Sequence, residues 1–190
     1  MTEPLILASA SPRRADLLTW AGVPIIIDPS SVDESRVPGE SPVYHARRLA
    51  RKKALAKDHG SRLVLGADTT VFIDEQIFDK PADRREALAH LQKLSGRTHQ
   101  VVTAYCLTQG GKVLQEDALI SRVTFRKLGL AEMENYVADG EGLDKAGAYG
   151  LQGKGGFLIA AIEGSYTNVI GLPLQEVLAA ISASQFTTSA

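Results

Sequence analysis

The sequence lacks the features that mark several large classes of protein. Its 190 residues include a single cysteine, Cys106, which excludes a disulfide scaffold and fits a reducing compartment. The formal net charge is −1, so there is no basic excess for binding a nucleic-acid polymer or an anionic membrane over the whole surface. No stretch approaches the roughly 18 apolar residues of a membrane span, and Met1–Leu7 has no positively charged start typical of a signal peptide. We therefore expect a cytoplasmic protein with neither a membrane nor a nucleic-acid partner.

Two common site motifs are also missing. The four histidines show neither an HExxH nor a zinc-finger spacing, which argues against a zinc site. A Walker A phosphate loop around Gly153-Lys154 would need glycine at Ala148 and serine or threonine at Gly155, so that interpretation fails. The glycine-rich stretch Gly140–Gly156 indicates instead either backbone that approaches a flat ligand closely or a plain flexible loop.

The patterns that are present predict alternating strands and helices. With 44% hydrophobic residues, a chain of this length can bury a core without a disulfide or a metal. Cap-then-proline pairs at Ser11-Pro12 and Ser41-Pro42 predict two helix starts, and the alternation of elements favours the α/β class with a mixed sheet. We predict one domain over residues 1–190 with a frayed tail at 183–190. The predicted strands are Pro4–Ala8, Val23–Ile27, Leu63–Ile73, Ile77–Phe78, Gln100–Leu107, Val113–Phe125 and Phe157–Glu163, and the predicted helices are Pro12–Trp20, 41–60, 83–94, Leu130–Val137 and one that starts at Pro173.

Two arginines stand where a helix should begin. Arg13 and Arg14 follow Ser9-Ala10-Ser11-Pro12, so their positive charge lies against the positive end of the helix dipole. Backbone N–H groups, serine hydroxyls and an arginine fork at a strand-to-helix junction form a phosphate site. The alternative is a pair of solvated surface arginines.

Two charged residues interrupt apolar patterns. Asp68 lies inside the apolar run Leu63–Ile73, where a carboxylate is costly unless it is paired or bound to a metal. The alternative is an aspartate at a bulge, which Gly66 would permit. Lys53 lies in the apolar stripe of the second helix, so its ammonium either reaches out to the edge or points into a cleft.

Several carboxylates are of the type that Mg²⁺ or Mn²⁺ prefers. Asp33, Glu34 and Asp79, joined to Asp68, would offer the hard oxygen ligands of these cations. The sequence alone does not show that they converge.

These segments, in order, resemble the Maf family, also called septum-formation inhibitor proteins, which are nucleoside triphosphate pyrophosphatases. The resemblance covers the chain from about Leu5 to Ile181. Its segments are Ser9–Arg14, Val32–Glu34, Lys53-Ala54, Gly66–Thr69, Asp79–Pro81, Ser95–His99 and Asp144–Gly153. Asp79 departs from the pattern, because relatives often have glutamate there, and this argues against a direct metal role for that position.

The resemblance implies an elongated mixed sheet flanked by helices, of the inosine-triphosphate-pyrophosphatase (Maf/HAM1) type, with two lobes around a cleft. It implies a divalent cation, Mg²⁺ or Mn²⁺, and a homodimer. It implies that Asp68 is the catalytic base or a metal ligand and that Glu34 is a metal or water partner. The implied phosphate ligands are Ser9, Arg13, Arg14, Lys53 and Lys80, and the residues shared with the dTTP/UTP subfamily, which imply substrate specificity, are Arg13, Thr69 and Gln152.

The implied reaction is attack of water on the α-phosphorus of dTTP or UTP, which releases pyrophosphate and removes unwanted nucleotides from the pool. The primary amide of Gln152 extends the expected substrates to CTP and modified pyrimidine nucleotides. One alternative is the same reaction on 7-methyl-GTP or another non-standard purine triphosphate. Another is a non-catalytic, nucleotide-binding regulator of septum formation, and a link to cell-division arrest is compatible with either.

Overall fold

The structure, a computed structural model, describes residues 3–57 and 59–187. Within these ranges there is one seven-stranded sheet. Six of its strands have the order β2-β1-β3-β5-β6-β7, and the seventh, β4, pairs with residues 71–73 at the end of β3. β1 is parallel to β2 and β3, and the other pairs are antiparallel, which confirms the predicted mixed α/β sheet. The elements are β1 Leu5–Leu7, α1 Pro12–Trp20, β2 Ile25–Ile27, α2 Pro42–Leu55, β3 Leu63–Ile73, β4 Gln76–Phe78, α3 Arg84–Leu94, β5 Thr98–Gln109, β6 Lys112–Phe125, α4 Leu130–Asp139, β7 Ile159–Glu163, α5 Tyr166–Ile170 and α6 Leu174–Thr187.

The predicted helix starts are in place, and two of them have the expected side-chain caps. The Ser41 hydroxyl accepts from the backbone N–H of Tyr44, and the Asp83 carboxylate accepts from that of Glu86. Ser11 occupies the N-cap position of α1, but its side chain makes no capping bond and instead lines a cleft. None of the helices in the described part of the chain is long and apolar enough to span a membrane.

The main differences from the prediction concern α2, β7 and α5. α2 ends at Leu55 rather than near Gly60, and β7 starts at Ile159 because the preceding residues form a 3₁₀ helix. α5 is absent from the prediction, since five residues are too few to show a helical period. α6 extends to Thr187 and so includes residues 183–187 of the predicted tail, and its Val177 and Ile181 lie in the core. Residues 188–190 lie outside the described ranges, and fraying of the tail stays a prediction.

β3 is the central strand, and its two faces pack against different layers. Phe72 packs with the alanines of α2 on one face, together with residues of β5. On the other face Leu65 and Ala67 join a cluster with α1 and α6, whereas Val71 and Ile73 join a second cluster with α3 and α4. Because successive side chains of a strand point to opposite faces, this division follows from the sequence. The cleft described below lies where these two clusters meet along β3.

Gly66 makes room for α2. A Cβ atom there would lie 2.3 Å from the carbonyl oxygen of Ala50 and 2.4 Å from the backbone nitrogen of Ala54. β3 pairs with β5 in unbroken register from Leu63 to Phe72, so the alternative of a bulge at Gly66 is wrong. The glycine instead lets the backbone of α2 approach the sheet, which brings Lys53 next to Asp68.

Candidate active site

A cleft of about 370 Å³ gathers the residues that the sequence singled out. Eight of the nine predicted site residues line it, and the ninth, Ser9, accepts a hydrogen bond from one of the eight, Arg14. Those that line it are Arg13, Arg14, Glu34, Lys53, Asp68, Thr69, Lys80 and Gln152. The sequence segments therefore converge on one site although they are far apart in the chain.

Lys53 joins two carboxylates at the centre of this cleft. Its Nζ lies 2.7 Å from Asp68 Oδ1 and 2.8 Å from Glu34 Oε1. The side chains of Lys53 and Asp68 are only 10% and 11% exposed, so the lysine points into the cleft rather than out to the edge of the helix. Thr70 Oγ1 donates to the other oxygen of Asp68 at 3.4 Å. The buried aspartate in β3 is thus paired, as its cost of burial requires.

Two of the four carboxylates that were predicted as ligands of a divalent cation lie close together in this cleft. Oxygens of Asp68 and Glu34 converge on a single point where a positive charge, the ammonium of Lys53, already lies, so this pair fits a hard cation. The other two carboxylates do not join them: Asp33 accepts from Ser35, and Asp79 pairs with Arg36. Among the described residues there is no cluster of three or more possible metal ligands.

Arg14 is a buried residue in the wall of the cleft that α1 forms. Its Nε donates to the carbonyl of Gly171 at 2.8 Å, and its two terminal nitrogens donate to Ser9 Oγ at 2.8 Å and Thr69 Oγ1 at 3.0 Å. Burial lowers the pKa of its guanidinium, and the nearby carboxylate of Asp68 opposes that shift. Since a guanidinium has five N–H donors, two of them remain for a ligand.

Arg13 is the more exposed of the two arginines. Its guanidinium lies 3.3 Å from Asp144 Oδ2, and Asp144 is 63% exposed. A pair so open to water is weak, so an anionic ligand in the cleft can replace Asp144 at little cost. Lys80 is exposed and also lines the cleft.

A buried polar network fixes Thr69. Its hydroxyl lies 3.0 Å from that of Thr103, whose hydroxyl and backbone N–H bond to Asn168. The side-chain amide of Asn168 donates in turn to Val101 O and Ser121 Oγ. Sequence reasoning missed this network, although threonine and serine at buried strand positions were a signal for it. Asn168 itself lies in α5, the short helix that the pattern did not show.

The glycine-rich segment forms the opposite wall through its backbone. Glu141 accepts from the backbone N–H groups of Lys154 and Gly155, both at 2.8 Å, and from the Tyr136 hydroxyl at 3.1 Å. The Tyr136 hydroxyl accepts in turn from the N–H of Gly150 at 3.3 Å. Gln152 lies between these anchored points and faces the cleft. The sequence did not single out Glu141 or Tyr136, because they act on backbone groups and leave no pattern in the chain.

Tyr149 is held in this wall by a second buried contact. Its hydroxyl lies 2.7 Å from His99 Nε2, and both rings pack edge-to-face with Phe125. Burial lowers the pKa of His99 to about 4 and raises that of Tyr149, so both groups are neutral near pH 7. His99 belongs to the motif Ser95–His99, so the resemblance pointed to it without giving its role.

The chain is similar to known proteins over nearly its whole length. The family model described as "Maf-like protein" matches residues 4–184. The chain is 47% identical to a dTTP/UTP pyrophosphatase of Alcanivorax borkumensis over 178 residues, which cover 92% of each chain. It is 48% identical to a dTTP/UTP pyrophosphatase of Myxococcus xanthus, over 92% of this chain and 89% of the relative. A solved HAM1 protein of Coxiella burnetii has the same fold over 100% of both chains, with a TM-score of 0.51 at 16% identity, which confirms the expected HAM1-type fold.

Proposed function

The chain belongs to the family of Maf-like proteins, and from this premise we propose that it hydrolyses dTTP and UTP to the monophosphate and pyrophosphate. The observation that carries the proposal is the meeting of Asp68 and Glu34 at one cationic point in a cleft that arginine and lysine side chains also line. Relatives named dTTP/UTP pyrophosphatase at 44–48% identity support the same reaction class.

The charges of the cleft suit a polyphosphate and also distinguish hydrolysis from simple binding. Arg13, Arg14, Lys53 and Lys80 supply positive charge where phosphate oxygens would lie, and they would offset the charge that builds on the leaving pyrophosphate. A buried carboxylate beside phosphates is repelled unless a cation or a proton lies between them. A regulator that only binds nucleotide gains nothing from Asp68, whereas a hydrolase needs such a group.

We propose that Asp68 and Glu34 hold Mg²⁺ or Mn²⁺ together with phosphate oxygens of the substrate. When bound, the cation lowers the pKa of a coordinated water and neutralises phosphate charge. Lys53, which bridges the two carboxylates in this structure, then has a phosphate oxygen as an alternative partner for its ammonium.

In the proposed reaction, the water oxygen bonds to the α-phosphorus and the bond to the oxygen that bridges the α- and β-phosphorus atoms breaks. Asp68 accepts the proton of the attacking water through a carboxylate oxygen. The electron pair of the broken bond leaves with pyrophosphate, whose charge is stabilised by the arginine and lysine side chains. Arg14 supplies its charge from a fixed position, because its guanidinium is held at three points before substrate arrives.

The glycine-rich wall would read the base. Gln152 offers one acceptor and one amino donor side by side, which match the N3–H donor and O4 acceptor of uracil or thymine. The methyl group of thymine lies away from that edge, so dTTP and UTP both fit. Thr69 and Arg13 are the further specificity residues that we propose, since both line the same cleft.

The decisive experiment identifies products and the site of attack. The protein is incubated in ¹⁸O-labelled water with dTTP, UTP, CTP, 7-methyl-GTP and inosine triphosphate, and products are analysed by ion exchange and mass spectrometry. The proposal expects monophosphate carrying the label and unlabelled pyrophosphate, fastest from dTTP and UTP. Labelled orthophosphate with a nucleoside diphosphate would contradict the reaction, and preference for a purine would contradict the substrate. Tight nucleotide binding without products would favour a regulator.

We further propose that the protein forms a homodimer in the cytoplasm and is linked to cell-division arrest, as the family name septum-formation inhibitor implies. The buried free thiol of Cys106 is compatible with a reducing compartment. Light scattering of the purified protein tests the dimer directly.

A further inference from the structure

The loop that carries Glu34 has no regular secondary structure, yet α2 holds it firmly. It runs from residue 28 to residue 40, between β2 and α2. At its end, the Glu40 side chain is only 2% exposed and accepts from Arg48 Nε at 2.5 Å and from a terminal nitrogen of Arg48 at 2.8 Å. The backbone N–H of Val37 donates to the same carboxylate at 3.3 Å. Glu40 therefore binds the backbone of its own loop at Val37 and joins the loop to α2 through Arg48.

The peptide groups on both sides of Glu34 are also bound to α2. Arg48 donates to the carbonyl oxygen of Ser35 at 2.9 Å, and Lys52 donates to that of Asp33 at 3.1 Å. Lys53, the residue that Glu34 meets in the cleft, follows Lys52 on the same helix. The backbone that presents Glu34 is thereby fixed relative to the helix that presents its partner.

The Glu40 carboxylate is well suited to this task because it stays charged. The fork of Arg48 lowers the pKa of Glu40 to about 2, and His45 Nδ1 adds a contact at 2.9 Å. His45 itself lines the cleft. The anchor is thus a buried, bidentate ion pair, which is the strong kind of charged contact.

Glu34 has little else to hold it in place. Its side chain is 52% exposed, and it forms an ion pair with Lys53. A half-exposed ion pair contributes little stability in general, too little to order a loop of this length. The order of Glu34 must therefore come from the loop's attachment to α2.

We propose that Glu40, through its ion pair with Arg48, is a positioning residue that places Glu34 opposite Asp68. The inference rests on the proposed function, because it takes Glu34 to be a metal or water partner in catalysis. Glu40 itself does not line the cleft, and the loop connects it to Glu34. Removing its charge breaks the two contacts between Arg48 and Glu40, so that Arg48 holds the loop only through the carbonyl of Ser35, and lets Glu34 move away from the point where the two carboxylates meet.

The test compares Glu40→Gln with Arg47→Gln. The first substitution keeps the size of the side chain but turns an amide donor toward the donors of Arg48. Arg47 lies on the same helix in an exposed pair with Asp117, away from the loop, so its substitution removes one ion pair without touching the anchor. We expect kcat for UTP to fall by about 10–100-fold in Glu40→Gln, the range typical of residues that orient metal ligands, with KM changed less than about twofold. Arg47→Gln should retain the wild-type rate.

Two further readouts separate positioning from a merely structural role. Amide hydrogen exchange of residues 33–37 should accelerate in Glu40→Gln but not in Arg47→Gln, and the Mn²⁺ concentration for half-maximal activity should rise. Should Glu40→Gln fail to fold, Arg48→Lys keeps the charge but loses the fork and gives the same test. Wild-type kcat or unchanged exchange in a folded variant would overturn the inference.

A double-mutant cycle with Glu34→Gln distinguishes this inference from the proposed function. If Glu40 acts through Glu34, adding Glu40→Gln to Glu34→Gln should change kcat less than about twofold. Full additivity of the two losses would overturn the inference and leave the function intact. Wild-type turnover in Glu34→Gln alone would overturn the proposed role of Glu34, and the inference with it.

Discussion

The two walls of the cleft are built in opposite ways. At the end for which we propose a cation, charged side chains meet across long regular elements: Lys53 on the 14-residue helix α2 and Asp68 on the 11-residue strand β3. At the proposed base end, the backbone of the glycine-rich segment Gly140–Gly156, partly in short 3₁₀ turns, is held by side chains, chiefly that of Glu141 at its start. The first end is fixed by the hydrogen bonds of regular secondary structure and by an ion pair, and the second by hydrogen bonds between side chains and backbone N–H groups.

This difference matches the role that we propose for each end, catalysis at the first and recognition of the base at the second. Charges that stabilise a transition state must stay at fixed distances, which helices and strands provide. A wall that fits a flat base needs backbone at close approach, and a Cβ atom on Gly155 would lie 2.2 Å from the carbonyl oxygen of Gly150. Changes at the cation end should therefore remove turnover, and changes at the base end should shift the choice of substrate.

The largest effect should come from Asp68→Asn. The change is nearly isosteric, but it removes the proton acceptor and the negative charge that Lys53 meets. General-base catalysis alone is worth about 10²–10⁴-fold, so kcat should fall by several orders of magnitude while UTP still binds. Steady-state kinetics and calorimetric titration with UTP measure the two quantities. Asp117→Asn, on exposed β6, is the matched control, and near-wild-type turnover in Asp68→Asn would contradict the mechanism.

Removal of divalent cations should have the next largest effect. A metal that polarises phosphate supplies several kcal/mol, so exhaustive chelation should lower kcat by about 10²-fold or more. Because the converging ligands are carboxylate oxygens, Mg²⁺ or Mn²⁺ should restore activity. Full activity after chelation would show that the point between Asp68 and Glu34 holds no cation in catalysis.

The cation end was far easier to predict from the sequence than the base end. Asp68 and Lys53 interrupt apolar patterns of period 2 and 3.6, so their chemistry shows in a single chain. Gln152 was proposed from the glycine-rich stretch and from the resemblance, because such a loop has no period. Glu141 and Tyr136 were missed, since each stabilises backbone groups 13 or 14 residues away in sequence, which no local pattern records.

The same reason explains which parts of the fold were predicted. Long elements such as β3 and α1 appeared with their observed ends, because an apolar run or a cap-then-proline pair marks them. The short helix α5 and the 3₁₀ turn before β7 were not predicted, since tertiary contacts rather than local preference form them. Glu40, in a loop, likewise gave no sign of its buried ion pair.

Gln152→Glu should test the base end directly. The change keeps the size of the side chain but replaces the donor by an acceptor that faces O4 of uracil, at a cost of about 1–3 kcal/mol. That corresponds to a loss of roughly 5- to 150-fold in kcat/KM for UTP. The loss for CTP should be smaller, because its N4 amino group still meets an acceptor. If the ratio of UTP to CTP hydrolysis stays at the wild-type value, base reading must be assigned to Thr69 or Arg13 instead.

The smallest effect should come from Glu141→Gln, which perturbs the base end without touching a residue that lines the cleft. The two oxygens of Glu141 accept from Lys154 N and Gly155 N, and a glutamine can accept at only one of them. One lost hydrogen bond is worth about 1 kcal/mol, so KM for UTP should rise about fivefold while kcat is preserved. Glu134→Gln, on the exposed face of α4, is the control and should leave both constants unchanged.

Whether Glu141→Gln changes KM or kcat decides whether the two walls are independent. A higher KM with unchanged kcat means that the glycine-rich segment contributes binding that is equal in the ground and transition states. A lower kcat with unchanged KM would mean that a shift of the segment reaches Asp68 and Lys53, through Arg13 and its contact with Asp144. In that case Arg13→Gln should abolish the further effect of Glu141→Gln, and the separation of the two ends would have to be abandoned.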